Sequence, residues 1–109
     1  MIDFERSSTV SVYATFADEA EARRIARAVV EERLAACANI LGPCHSVYRW
    51  QDKVEEAGEA VAIFKSTHSL SEALVRRIAD LHSYELPAIA VWDCAGSESF
   101  DDWVIDSTR

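Results

Sequence analysis

With 109 residues, half of them apolar and 28% charged, and with only three glycines and two prolines, the chain has the composition of a folded single domain over residues 1–109, which excludes a disordered or fibrous protein. Eleven Lys and Arg against nineteen Asp and Glu leave a net charge of −8, the wrong sign for a surface that displaces counterions from nucleic acid or docks on an anionic membrane. The acidic residues are dispersed, as in "EEAGE" and "FDDW", and read as a solvated face.

The opening "MIDFERSSTV" has no cationic stretch followed by an apolar segment, and nowhere do some eighteen apolar residues run together. A cytoplasmic protein without a membrane span is expected. Thr9 to Phe16, "TVSVYATF", alternates and is rich in β-branched and aromatic residues, which predicts a strand. Asp18 and Glu21 then form a capping-box pattern, and Ala22, Ile25, Ala26, Val29 and Val30 recur at helical spacing to about Arg33. "LAACANIL", Leu34 to Leu41, is an apolar run whose second half reads as a strand stopped by Gly42 and Pro43. Val47, Tyr48 and Trp50 continue in extended style, "QDK" reads as a turn or bulge, and "EEAGE" reads as an acidic link into the strand Ala60 to Ser66, giving a long central hairpin.

Ser69 and Glu72 make a second capping-box pattern, followed by Leu70, Ala73, Leu74, Ile78 and Leu81 at helical spacing, so a second helix is expected to end near His82. Ala88 to Asp93 is the last core strand. After Gly96, "SFDDWVIDS" opens with the cap pair Ser99 and Asp102 and predicts a short terminal helix. The order β, α, β, β, α, β plus a tail predicts an α+β, ferredoxin-like sandwich with two helices on one face of an antiparallel sheet. The other face, carrying Tyr48, Trp50, Ile63 and Trp92 or their neighbours depending on register, is left without cover, and self-association is expected from it.

Function has to be argued from sites, since many functions share this fold. The chain has no P-loop, no GxGxxG and no aromatic RNA-binding pattern, and its first loop, "ATFADE", lacks the cysteine pair of a soft-metal chaperone. The three cysteines, Cys37, Cys44 and Cys94, form no CxxC pair and spell out neither a disulfide framework nor a zinc knuckle. Cys44 with His45 is a donor set that suits copper or zinc, although neighbours in sequence rarely reach one ion together. Cys37, flanked by alanines, reads as a buried inert thiol. "HSYELP" remains. His82 serves equally as a helix cap and as a ligand, whereas Tyr84 and Glu85 are not needed for capping and are placed to converge on a ligand, the more so if the hairpin brings Trp50 and Lys65 near.

"LAACANI", "SVYRWQDKVEE", "FKST", "HSYELPAI" and "FDDWVIDST", in this order and spacing over about Thr9 to Thr108, resemble the CutA divalent-cation-tolerance family. The resemblance implies a ferredoxin-like subunit in a tight homotrimer, the hairpin extending a neighbour's sheet, and a shared cleft lined by Cys37, Tyr48, Trp50, Lys65, His82, Tyr84 and Glu85. It also implies a divalent metal ion, Cu²⁺ in the first instance, with His82 as the leading metal ligand. The sequence departs from the family pattern at four positions. Ala14 stands where some members carry a copper-associated cysteine, Ser83 where proline is usual, Asp52 where glycine is common and Ser66 where threonine is common.

Three functions are then to be weighed. One is a trimeric divalent-cation binder in metal tolerance. The alternative is a signalling or sensor trimer that takes a small anionic metabolite in the inter-subunit cleft through Lys65. An enzyme is not expected, because no nucleophile–base pair or metal triad is spelled out.

Overall fold

The computed structural model describes residues 1–5 and 7–109. The elements are β1 (Thr9–Phe16), α1 (Glu19–Glu31), β2 (Cys37–Trp50), β3 (Lys53–Thr67), α2 (His68–Leu81), β4 (Ile89–Asp93) and α3 (Glu98–Ser107). They form one antiparallel sheet in the order β2-β3-β1-β4, the ferredoxin-like arrangement expected from the sequence.

Alternation along β1 sends Val10, Val12, Ala14 and Phe16 to the helix-covered face, where they meet Ile25 and Val29 of α1, Phe64 of β3, and Leu74 and Ile78 of α2. All nine are at most 1% exposed. Alanines on α1 and the sheet, Ala22, Ala60 and Ala62 among them, let this layer lie close. Ala14 belongs to it too, so its side chain points beneath the helices and away from the opposite face.

The N-terminus of α1 follows the capping-box pattern with a twist. Asp18 accepts the Glu21 N–H at 2.8 Å, but the Glu21 carboxylate reaches back to the Ala17 N–H rather than to that of Asp18. Two other expected caps are corrected. At α2 the cap position is Thr67, which makes no side-chain cap bond, while Glu72 pairs with Arg76 one turn on. At α3 the cap is Ser97, whose side chain accepts the Phe100 N–H, so Ser99 and Asp102 lie inside the helix.

The hairpin is longer and more regular than the sequence indicated. "EEAGE" is no link but part of β3, which runs unbroken from Lys53, and β2 continues through Gly42 and Pro43 with an irregularity between Leu41 and Cys44. Gln51 and Asp52 turn the chain with φ of 50° and 66°, as a type I′ hairpin turn requires. Asp52 tolerates this region better than most residues, yet a glycine would occupy it without strain. Pairing of β3 with β1 stops at Ala60 opposite Phe16, whereas pairing with β2 continues to Lys53 opposite Trp50. The outer half of the hairpin is therefore a two-stranded ribbon projecting beyond the sheet, in a molecule 44 Å long and 22 Å thin.

The face opposite α1 and α2 is only partly open. Thr9 on that face donates to Asp101 Oδ1 at 2.7 Å, which seats α3 over one end. The remainder presents Leu41, Tyr48, Trp50 and Trp92, each between 42% and 52% exposed.

Candidate functional site

A cavity of about 520 Å³ opens on this face, between the projecting ribbon and the segment that follows α2. Tyr13 and Thr15 of β1 form its floor, Tyr48, Trp50 and Glu59 come from the ribbon, and Tyr84, Glu85 and Leu86 close the far side. Among the described residues no Lys, Arg or His lines it.

The segment Ser83–Leu86 is held by a compact set of bonds. His82 ends α2 in extended backbone (φ −72°, ψ 144°), which directs the chain away from the helix and across the end of β1. Its ring is buried, stacked on Phe16 at 4.9 Å and 15° and tilted against Tyr84 at 4.7 Å. Nε2 lies 2.7 Å from the Thr15 carbonyl and must donate, while Nδ1 accepts the Tyr84 N–H at 3.0 Å. Glu21, 4% exposed, accepts the Ser83 N–H at 2.8 Å and the Ala17 N–H at 3.1 Å. Tyr84, so placed, donates its hydroxyl to Glu59 Oε2 at 2.8 Å.

The electrostatics follow the geometry. Burial alone would push the Glu21 carboxyl up, but hydrogen bonds from Ser83 and Ala17 outweigh it and hold the group below the ordinary carboxylate value. Tyr84 is pushed well above the usual phenol range, first by desolvation and then by its bond to Glu59. A group with a lowered folded pKa contributes stability above its unfolded value, and that contribution is lost as pH falls through the folded one. Glu21→Gln is therefore expected to lower unfolding free energy by about 2 kcal/mol at pH 7, since an amide cannot accept both N–H groups. The deficit relative to the parent should shrink in urea titrations at pH 3, well below the ordinary 4.5. A deficit as large at pH 3 as at pH 7 would count against the clamp.

Of the residues singled out from sequence, Tyr48, Trp50, Tyr84 and Glu85 meet at this cavity. Cys37 and Lys65 do not. They face each other across β2 and β3 on the same side of the sheet, with Lys65 six residues from Glu59, about 20 Å at the rise of a strand. Burial pushes the Cys37 thiol up, against the pull of Lys65, so it is a poor thiolate donor as it stands. The leading metal ligand is corrected by its own hydrogen bonds, because both His82 nitrogens are engaged and no lone pair is left for an ion. The Cys44–His45 pair separates to opposite faces, Cys44 toward Ser46 at 3.8 Å and His45 onto Glu56 at 2.7 Å. Among the described residues no three His, Cys, Asp or Glu side chains converge as a metal would need.

Tyr13, Thr15, Ser46, Glu59, Leu86 and Ala88 line the cavity without having stood out in the sequence, and neither did Glu21 as the clamp. The signal for Glu59 was present: Glu55, Ala57, Glu59, Val61 and Ile63 alternate onto one face once β3 is extended back to Lys53.

The chain is thus a βαββαβ, ferredoxin-like protein with a long hairpin and an aromatic, acidic cavity at the end of its second helix. The chain belongs to the CutA1 divalent ion tolerance protein family, whose pattern it matches over residues 10–107. It is 41% identical over 98 residues to the divalent-cation tolerance protein CutA of Thermus thermophilus, covering 89% of this chain and 95% of that one. A solved structure of the divalent cation tolerance protein (Cut A1) from Thermus thermophilus, 39% identical, superposes with a TM-score of 0.89 over 93% of this chain and 99% of that one. The chloroplastic CutA protein of Arabidopsis thaliana is 37% identical over 109 residues, 96% of this chain, and this chain spans 60% of its length. A CutA structure from Archaeoglobus fulgidus, 31% identical with a TM-score of 0.89 over 93% of this chain and 99% of that one, is described as a periplasmic divalent cation tolerance protein. The expectation of a cytoplasmic protein is overturned by these two relatives, since compartment is not a shared property of the family. Among the described residues no helix is long and apolar enough to cross a membrane.

Proposed function

We propose that the chain is a divalent-cation tolerance protein that acts as a homotrimer, residues 1–109 forming one unit, and that holds a cation such as Cu²⁺ in a cleft shared between copies. The observation that carries this reading is the division of the cleft residues into two groups on one sheet face. Tyr48, Trp50, Tyr84 and Glu85 line the cavity, while Cys37 and Lys65 lie outside it, Lys65 about 20 Å along β3 from Glu59. A head-to-tail ring brings one group of each copy against the other group of the next. The projecting ribbon supports the same assembly, because a two-stranded hairpin is marginal in water without a further surface to pack on.

Within one chain the donors facing the cavity are the carboxylates of Glu59 and Glu85, which suit a divalent ion but do not complete its shell. The rest would come from water or from the adjoining copy. His82 acts by holding Tyr84 rather than by ligation. An anionic metabolite is the weaker alternative, since the cavity wall offers it two carboxylates and Lys65 lies elsewhere in the chain. The aromatic walls favour binding over catalysis.

Calorimetric titration with Cu²⁺ at pH 7 tests the assignment. Glu85→Gln and Glu59→Gln are each expected to weaken binding roughly tenfold, with His82→Asn affecting it less. Unchanged affinity in both glutamine variants would remove the cavity as the metal site.

A further inference from the structure

We infer that the cavity also selects an organic cation of the alkylguanidinium type. The inference rests on the reading that this cavity is the functional site and adds the chemistry of a second kind of occupant. Two observations carry it. The walls include the rings of Tyr13, Tyr48, Trp50 and Tyr84, residue types that give a metal ion no lone pair of useful strength but attract a delocalised cation through the ring quadrupole. Beside them stand Glu59 and Glu85, with no basic side chain among the described lining residues.

A planar guanidinium uses both features at once. It stacks on an indole or phenol face and forks onto a carboxylate with two parallel hydrogen bonds, which a compact ammonium or a hydrated metal cannot do. Glu59 is prepared for this. Its Oε2 is held by the Tyr84 hydroxyl, and the His82 and Glu21 bonds fix Tyr84 in turn, so one acceptor is oriented before any ligand arrives. The Tyr84 phenol is pushed up by desolvation first and then by its bond to Glu59. A Lys65 brought in by a neighbouring copy leaves the two carboxylates in excess. The volume of about 520 Å³ accommodates a guanidinium with a short alkyl chain, whose methylenes pack on Leu86 and the Trp50 ring.

The test uses the full chain and three probes of similar length, butylguanidinium, butyrate and butanol, each titrated at pH 7 in low salt with calorimetric readout. Butylguanidinium is expected to bind and the other two not, with affinity falling roughly tenfold in Glu59→Gln and in Trp50→Leu. Trp50 is 42% exposed, so its replacement leaves the core intact. Cu²⁺ should compete with butylguanidinium for the same carboxylates. Failure of Cu²⁺ to bind while butylguanidinium behaves as stated would sink the metal reading and leave this inference standing. Butyrate binding as well as butylguanidinium, no butylguanidinium binding at all, or affinity unchanged in both variants overturns the inference.

Discussion

His82→Ala is expected to lower the unfolding free energy of the metal-free protein by about 3 kcal/mol, far more than loss of a helix-end histidine would cost. The change removes a buried ring from between Phe16 and Tyr84 and leaves the Thr15 carbonyl and the Tyr84 N–H without their partners. Urea denaturation with a chelator present isolates this effect from any metal. An imidazole that served chiefly as a ligand would instead leave the chelated protein almost as stable as the parent. The same variant should free Tyr84 from its place beside Glu59, visible as faster hydrogen exchange at the amides of residues 83–86.

A still larger loss, about 4 kcal/mol, is expected for Phe16→Ala. Phe16 is fully buried at the end of β1, edge-on to Phe64 at 6.5 Å and stacked on His82 at 4.9 Å, so it joins the core to the cavity. Because Phe16 and His82 touch, the double variant should fall short of the sum of the single losses by roughly 1 kcal/mol. Strict additivity in equilibrium denaturation would mean that the stacked pair contributes nothing beyond area, and that core and site are independent.

The sequence was legible where one residue's neighbours decide its place. β1 could be bounded because alternation and β-branching agree over its whole length, and it stands as Thr9–Phe16. The Asp18–Glu21 pattern located the start of α1, yet it could not disclose that the same carboxylate would clamp Ser83, 62 residues away. The Ser69 and Ser99 patterns were read as caps because spacing alone cannot tell a cap from the first turn of a helix that begins a residue or two earlier. "EEAGE" looked like a link because five polar or small residues carry little strand propensity, but Ala57 and Glu59 are fixed in β3 by pairing with Ser46 and Cys44 across the hairpin. His82 is the most instructive residue. Its type and position suited a cap or a ligand equally, and only the carbonyl of Thr15, 67 positions back, decided which way each nitrogen faces. Compartment was not legible at all, since a few N-terminal residues do not report where relatives of the same fold are placed.

Everything proposed for the cleft depends on copies of the chain meeting across the open sheet face. Light scattering on the protein at micromolar concentration tests that directly. The account predicts a particle of three times the 12.2 kDa subunit that persists on dilution, because the projecting ribbon and the exposed Leu41 and Trp92, outside the cavity, would otherwise stay in water. A stable particle of 12.2 kDa would contradict it, leaving Cys37 and Lys65 with no route to the cavity.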